Sequence, residues 1–459
     1  MEHKIAEQGS NKFIQWLKKS IAIRMLMIGF LTLILIIPLL FIEDLIRERA
    51  QRQQSVVNEI NQQWGDEVLL YGPILKIPYK IFREKKLRDI DTNNEYKEVV
   101  EEIAEAYFFP DNLLIEASVN PEEKKRGIYR TAVYSGNIGI KGNFIAPNFN
   151  ELEIDSNNVL WDKATMILQT SNLKGIKEKV EIQLGKTKHT LISQYKTVNK
   201  SNFELVLHQL ESKYLNFREI KDQSNIPFTI NMAVNGSESV QFIPVGKETT
   251  ANIKSDWKDA SFFGEYLPYN ADKISKDGFD AKWKVLDINR PFPQHYLNNI
   301  PDLKEYAFGV DFMIPVEEYQ KSERSAKYGF LVIGLTFLIF FLIQTLSKIN
   351  IHPFQYLMIG LALTMFYTLL ISISEHSNFL KAYLIAGISV IALISLYSKT
   401  ILKNIKFPIF IGLSLTALYT FIFVIIQLEN YALLVGSIGL FVILATVMFV
   451  SKKIDWNNG

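Results

Sequence analysis

The residues able to do chemistry are few and widely spaced. Histidines stand at His3, His189, His208, His295, His352 and His376, so no two have the i, i+4 spacing of a helical zinc site, and no H-E-x-x-H occurs. The chain has no cysteine, which removes disulfides, thiolate metal sites and cysteine nucleophiles together. Gly136, Gly139 and Gly142 in "SGNIGIKGNF" fit neither the dinucleotide fingerprint nor a phosphate loop and read as strand and turn glycines. No metal, cofactor or catalytic residue is therefore expected. One constellation remains. The stretch "IHPFQYLMIGLALTMFYTLLISISEH", residues 351–376, carries His352 at one end and Glu375-His376 at the other, with no charge between Pro353 and Ile373. Glu429, Lys327 and Tyr328 lie at the ends of neighbouring apolar runs, so Glu375, His376, Glu429 and Lys327 are the candidate members of a polar collar. An enzyme would need that collar to open on a cavity holding a perturbed acid or base, whereas a scaffold needs it packed. Interfacial anchoring and helix capping is the plainer use of the same residues. His352 is plainer still, because Pro353 at a first helical position needs no N–H partner.

Membrane spans must position such a collar. The 459 residues are 48% hydrophobic with a net charge of +2, and the apolar ones gather in 25–42 and after Gly329, while 44–327 reads as water-soluble. A near-balanced charge without a basic face excludes nucleic acid as a partner; membrane lipids and other envelope proteins are the partners expected. Apolar windows at 329–346, 353–373, 379–397, 407–427 and 431–450 join the first run to make six spans, each matched at 1.5 Å of rise per residue to a hydrocarbon core of about 30 Å. No Asp, Glu, Lys, Arg or His lies at the centre of spans two to six, where Gln344, Thr336, Thr364 and Ser372 supply the polar character. Ion-coupled transport is disfavoured on that ground, and a lipid or hydrophobic ligand between helices stays open.

The first run follows Lys12, Lys18, Lys19 and Arg24, but it is longer than a signal h-region and passes into "EDLIRERAQ" without a small-x-small cleavage site. A retained anchor is expected. Lys4, Lys12, Lys18, Lys19 and Arg24 flank span one, Lys348 lies between spans two and three, Lys399, Lys403 and Lys406 between four and five, and Lys452 and Lys453 after six. Lys381 alone occupies the opposite short loops. That alternation predicts both termini in the cytoplasm and 44–327 outside the inner membrane.

The expected division is a tail and first span over 1–43, a mainly β periplasmic domain over 44–327 with a helical start at 44–64, a five-helix bundle over 328–450 and a tail over 451–459. Leu45, Ile46, Val56, Val57, Ile60 and Trp64 recur at helical spacing up to Gly65. Aromatic and β-branched runs follow, from "VLLYGPILKIPYKIF" to "AFGVDFMIPV", separated by Gly, Pro, Asn and Asp. "NMAVNGSESVQF" predicts a hairpin turning at Asn235-Gly236, and the polar segment 195–225 is the candidate junction of two lobes.

Several ordered phrases together resemble the CreD family of bacterial inner-membrane proteins: "RERAQRQQSVVNEINQQWG", "LLYGPILKIPY", "RGIYRTAVYSG", "FIPVGKETTANIKSDWKDASFFGEYLP", "RSAKYGFLVIGLTFLIFFLIQ", "IHPFQYLMIGLALTMFYTLLISISEH" and the closing "KKIDW", over about residues 47 to 456. The resemblance implies six spans and a large periplasmic domain. It also implies an association with cell-envelope integrity and, in some bacteria, with responses to β-lactams and colicins under a two-component regulator. The family offers no established catalytic residues to carry over. The expected function is therefore a non-catalytic envelope scaffold or stress-response factor. The alternatives are a membrane enzyme or lipid/peptidoglycan-precursor handler working at the collar, and, more weakly, an envelope sensor.

Overall fold

The computed structural model describes residues 21–88, 95–194, 206–220, 224–312, 318–347, 349–402, 404–428 and 431–452. Its helices are α1 (Ile21–Trp64), the short α2 (Phe217–Ile220) and α3 (Glu318–Lys327), then α4 (Gly329–Leu346), α5 (Pro353–Ser374), α6 (Phe379–Ile401), α7 (Lys406–Gln427) and α8 (Ala432–Ser451). All but α2 and α3 are long and apolar enough to cross a membrane, six in number among the described residues. The 44 residues of α1 span about 66 Å, twice a hydrocarbon core, so the helix outruns its apolar half. It stops where Gly65 takes a φ of +144°.

The chain divides into two compact units, Ser55–Pro315 and, flanking it in sequence, Met1–Gln54 with Val316–Gly459. In the helical unit Leu35 and Leu39 of α1 are buried with Phe337 and Phe340 of α4, Tyr356 and Phe366 of α5, and Tyr419 of α7. Close approach is set at Gly360, where a Cβ would lie 2.1 Å from Leu35 Cδ1 and 2.9 Å from Phe337 Cζ. The interior polar residues are bonded within the bundle: Tyr356 donates to Gln344 Oε1 at 2.8 Å, Thr336 to Val332 O at 2.6 Å and Thr364 to Leu361 O at 2.8 Å. In contrast to its neighbours, α8 has no buried residue.

The second unit is built from strands β1 (Val68–Arg88), β2 (Glu95–Phe108), β3 (Asn112–Arg126), β4 (Tyr129–Ile145), β5 (Thr165–Thr170), β6 (Glu181–Leu184), β7 (Thr187–Ser193) and β8 (His208–Ser212). The series continues with β9 (Asn225–Ser237), β10 (Ser239–Phe242), β11 (Glu248–Ser255), β12 (Ala260–Gly264), β13 (Ile274–Ser275), β14 (Gly278–Leu286), β15 (His295–Leu297) and β16 (Phe308–Phe312). Their hydrogen-bonded order is β12-β16-β10-β1-β5-β8-β7-β6-β9-β4-β3-β11-β14-β13, with β2 on β1 and β15 on β2. The middle of the path is one strand serving two ladders: Thr187–Thr190 of β7 pair with β6, and Leu191–Ser193 with β8. Its two ends meet across a single core, Trp283 of β14 lying 5.4 Å from Phe308 of β16 and Phe279 6.2 Å from Phe312.

Two expectations are corrected here. The described residues of 195–225 do not separate two lobes: β7 and β8, on either side of its start, are hydrogen-bonded neighbours, so the polar stretch connects strands of one sheet. Residues 195–205 and 221–223 of it lie outside the described residues. Nor do Asn235 and Gly236 turn a hairpin. Both sit in β9, paired with Ser135 and Tyr134 of β4, and the chain turns instead at Glu238 with a φ of 59°. From there β10 leaves for β1 and β16. Glycine is needed at 236 for closeness, since a Cβ there would come 2.3 Å from the Tyr134 hydroxyl.

Candidate functional site

The collar residues are placed by helix ends in the helical unit. Glu375 is the C-terminal cap of α5, and its Oε1 lies 3.6 Å from Arg49 Nε and accepts from the Tyr319 hydroxyl of α3 at 3.4 Å. Its side chain is only 14% exposed. Lys327 does not join it. At the end of α3, Lys327 pairs with Glu323 at 3.2 Å, one turn back, and Glu323 also meets Arg47 at 3.4 Å. The hydrogen bond and charge of Lys327, with those of Arg47, hold the Glu323 carboxyl below its usual range. His376 is exposed, and its ring has no hydrogen-bond partner among the described residues. Glu429 lies outside the described residues. Glu375 and Lys327 thus belong to separate groups, Arg49–Glu375–Tyr319 and Arg47–Glu323–Lys327.

Two further contacts explain the neighbouring polar residues. Arg324 Nη2 donates to the carbonyls of Ile425 and Leu428 at 3.2 and 3.1 Å, supplying partners to the open C-terminal end of α7. His352 is the N-cap of α5: its Nδ1 accepts from the Phe354 N–H at 3.3 Å, while Gln355 accepts from the His352 N–H at 2.9 Å. Sequence spacing gave no sign of Arg49, Arg47 or Glu323 as partners, because α1 and α3 are remote in sequence from α5.

In the sheet unit a second polar centre gathers Asp66, Glu67, Glu238 and Asp311. Asn61 donates to Glu238 at 2.7 Å and is itself held by Thr131 at 3.1 Å, while Gln241 donates to Glu67 at 3.2 Å. Burial, with the negative charges of Glu67 and Glu238, pushes Asp311 up to about 6. Burial also raises Glu238 and Asp66, the first against the bond from Asn61 and the second against the charge of Lys174. These carboxyls come from three places in the chain, the adjacent Asp66 and Glu67, then Glu238 and Asp311, so no local motif announces them. Among the described residues no group of three or more His, Cys, Asp or Glu has the arrangement to hold a metal ion.

The outer face of β3, β4, β9 and β11 carries a third feature, a depression of about 490 Å³ lined by Glu116, Ser118, Asn137, Asn231, Asn252 and Lys254. It forms over Gly139, whose missing side chain leaves the floor low between Glu116 and Asn231 in the cross-strand row. Asn252 Oδ1 is buried there without a hydrogen-bond partner.

Comparison with known proteins gives these features a family. Residues 20–457 match the family Inner membrane protein CreD. The Inner membrane protein CreD of Escherichia coli (strain K12) is 29% identical over 435 residues, covering 92% of this chain and 91% of that protein. With six apolar helices, the chain is a multi-pass inner-membrane protein. Since the match runs through the first helix, the sheet unit and the later helices alike, the chain belongs to the CreD family.

Proposed function

We propose that the protein is a non-catalytic factor supporting cell-envelope homeostasis, with the sheet unit on the outer side of the inner membrane and both termini in the cytoplasm. The carrying observation is the packing of Glu375. A carboxylate that is only 14% exposed and engaged by Arg49 and Tyr319 is placed to fasten helix ends together rather than to meet a substrate. The distribution of Lys and Arg supports the orientation. Attachment to spans at both ends of the sheet unit gives it a high effective concentration at the bilayer, which suits bracing or presenting envelope components. Deletion should lower survival under detergent, colicin or cell-wall antibiotic stress and leave unstressed growth nearly normal. A deletion strain matching its parent under every such stress would remove this reading.

A second reading, handling of a lipid-linked or peptidoglycan precursor, is favoured by the amide-lined depression with the unbonded Asn252 Oδ1. It predicts that Asn137→Ala with Asn231→Ala abolishes rescue of the deletion at normal protein level and melting temperature. The scaffold reading predicts rescue by that variant.

A further inference from the structure

One face of the helical unit is open in a way the spans do not require. Between α4, α7 and α8 runs a groove of about 970 Å³ whose walls are almost wholly apolar, among them Leu338, Leu342, Phe410, Ala417 and Val442. Its long axis follows the helices. Along α7 it extends from Lys406 to Phe421, about 22 Å at 1.5 Å per residue, more than the depth of one leaflet of a core about 30 Å thick. Lys406, the first residue of α7, lies at the end where α4 and α8 finish, beside Ser347 and Val450. It is exposed and has no acidic partner among the described residues. The same end of the bundle carries Arg24, Lys399 and Lys452, and no Asp or Glu among its described residues.

We infer that this groove is a binding site for one anionic glycerophospholipid, an acyl chain lying along α7 and the headgroup phosphate meeting Lys406. An occupant must be apolar for most of its length and negative at one end, which is the composition of such a lipid. A second copy of the chain fits less well. Two copies related by an axis along the membrane normal would bring the same surface together and set one cationic end against the other. The inference stands independently of the proposed envelope role, because it concerns what fills the bundle and not what the protein does for the cell.

The test is native mass spectrometry of the full-length protein released from detergent after mixing with dioleoyl phosphatidylglycerol or, separately, dioleoyl phosphatidylcholine. Retention of phosphatidylglycerol should exceed that of phosphatidylcholine about fivefold, and Lys406→Gln should bring the two level. Ala417→Phe, which fills the groove, should cut retention of both lipids about fivefold. Ala417→Leu gives the same reading with a smaller side chain should the larger one impair folding. Leu393→Phe, on an exposed face of α6, should change nothing. Equal retention of the two lipids, no effect of Lys406→Gln, or no effect of either groove-filling change overturns the assignment. So does a mass of two chains that is lost on Ala417→Phe, which would give the groove to a second copy.

Discussion

Asp311 shows what a half-buried carboxyl without a cation beside it does to stability. Its proton is held more tightly in the folded state, near pH 6, than in an unfolded chain, near 3.8, so the stability tied to that proton is lost as pH rises through this window. Glu238 and Asp66 shift in the same direction. Acidifying from pH 7 to 5 should therefore stabilise the sheet unit, by about 1 kcal/mol or less once the partial exposure of Asp311 is discounted. Asp311→Asn should raise the melting temperature at pH 7 and flatten the slope between pH 7 and 5; an unchanged slope would assign it elsewhere. Glu211 works oppositely. Burial opposes its charge, but bonds from Lys76 and Thr165 outweigh it and hold its carboxyl below the usual range. Its contribution is present above its unfolded value of 4.5 and lost as pH falls below that, so the two effects separate on the pH axis. At the collar, Glu375→Gln keeps an acceptor for Tyr319 and removes only the charge facing Arg49, a cost of about 1 kcal/mol or less. Full complementation by this variant is expected, with melting of the purified protein as the control. Loss of function at normal melting would make Glu375 an active-site residue. Glu375 was legible in the sequence because it ends an apolar run. Its partners were not, because an ion pair across helices leaves no periodic trace.

The helices were legible almost to their ends, since a membrane core enforces long runs without charge, and Gly65 marked the stop of α1. Strands were legible where one face is buried, as in β9, whose alternation of inward and outward residues is nearly complete. The segment "EYKEVVEEIAE" of β2 escaped because its support is ionic. Lys80 meets Glu101 at 2.9 Å, Lys85 meets Glu102 at 2.8 Å and Lys97 meets Glu84 at 2.7 Å across the β1–β2 ladder, contacts that hydrophobic alternation does not reveal. These pairs are exposed, so raising salt should loosen this arm before the core, read as faster amide exchange at Val99 and Val100 than at Ala106. At the helix level, Gly360→Val would drive a branched side chain into Leu35 and Phe337. Overpacking of this kind costs about 1–3 kcal/mol, measurable as a lower melting temperature in detergent, whereas Gly334→Val, with open space around it, should melt near the parent value.

For the whole molecule the orientation remains the most consequential expectation, and the cysteine-free chain makes it simple to examine. Lys186→Cys, in the exposed turn between β6 and β7, should react with an impermeant thiol reagent in intact spheroplasts. Asn404→Cys, exposed just before α7, should react only after lysis. The reverse pattern would place the sheet unit in the cytoplasm and withdraw the envelope proposal with it. The family assignment was legible because long phrases persist across both units. The single core of the sheet was not, because the contact of β14 with β16 joins residues that no local pattern links.

A sheet of sixteen strands offers unpaired backbone at its margins, and here the ends of the strand path are short. The strand path ends at β12, five residues long, and at β13, two residues long, while the side branch ends at β15, three residues long. Margins that short give a neighbouring chain too few N–H and C=O groups to extend the ladder, and the long β1–β2 arm is lined instead by Lys and Glu, which resist stacking. The protein can therefore be crowded at high density in its membrane without its sheets adding to one another, a protection against aggregation shared between the short end strands and the charged rows of the β1–β2 arm.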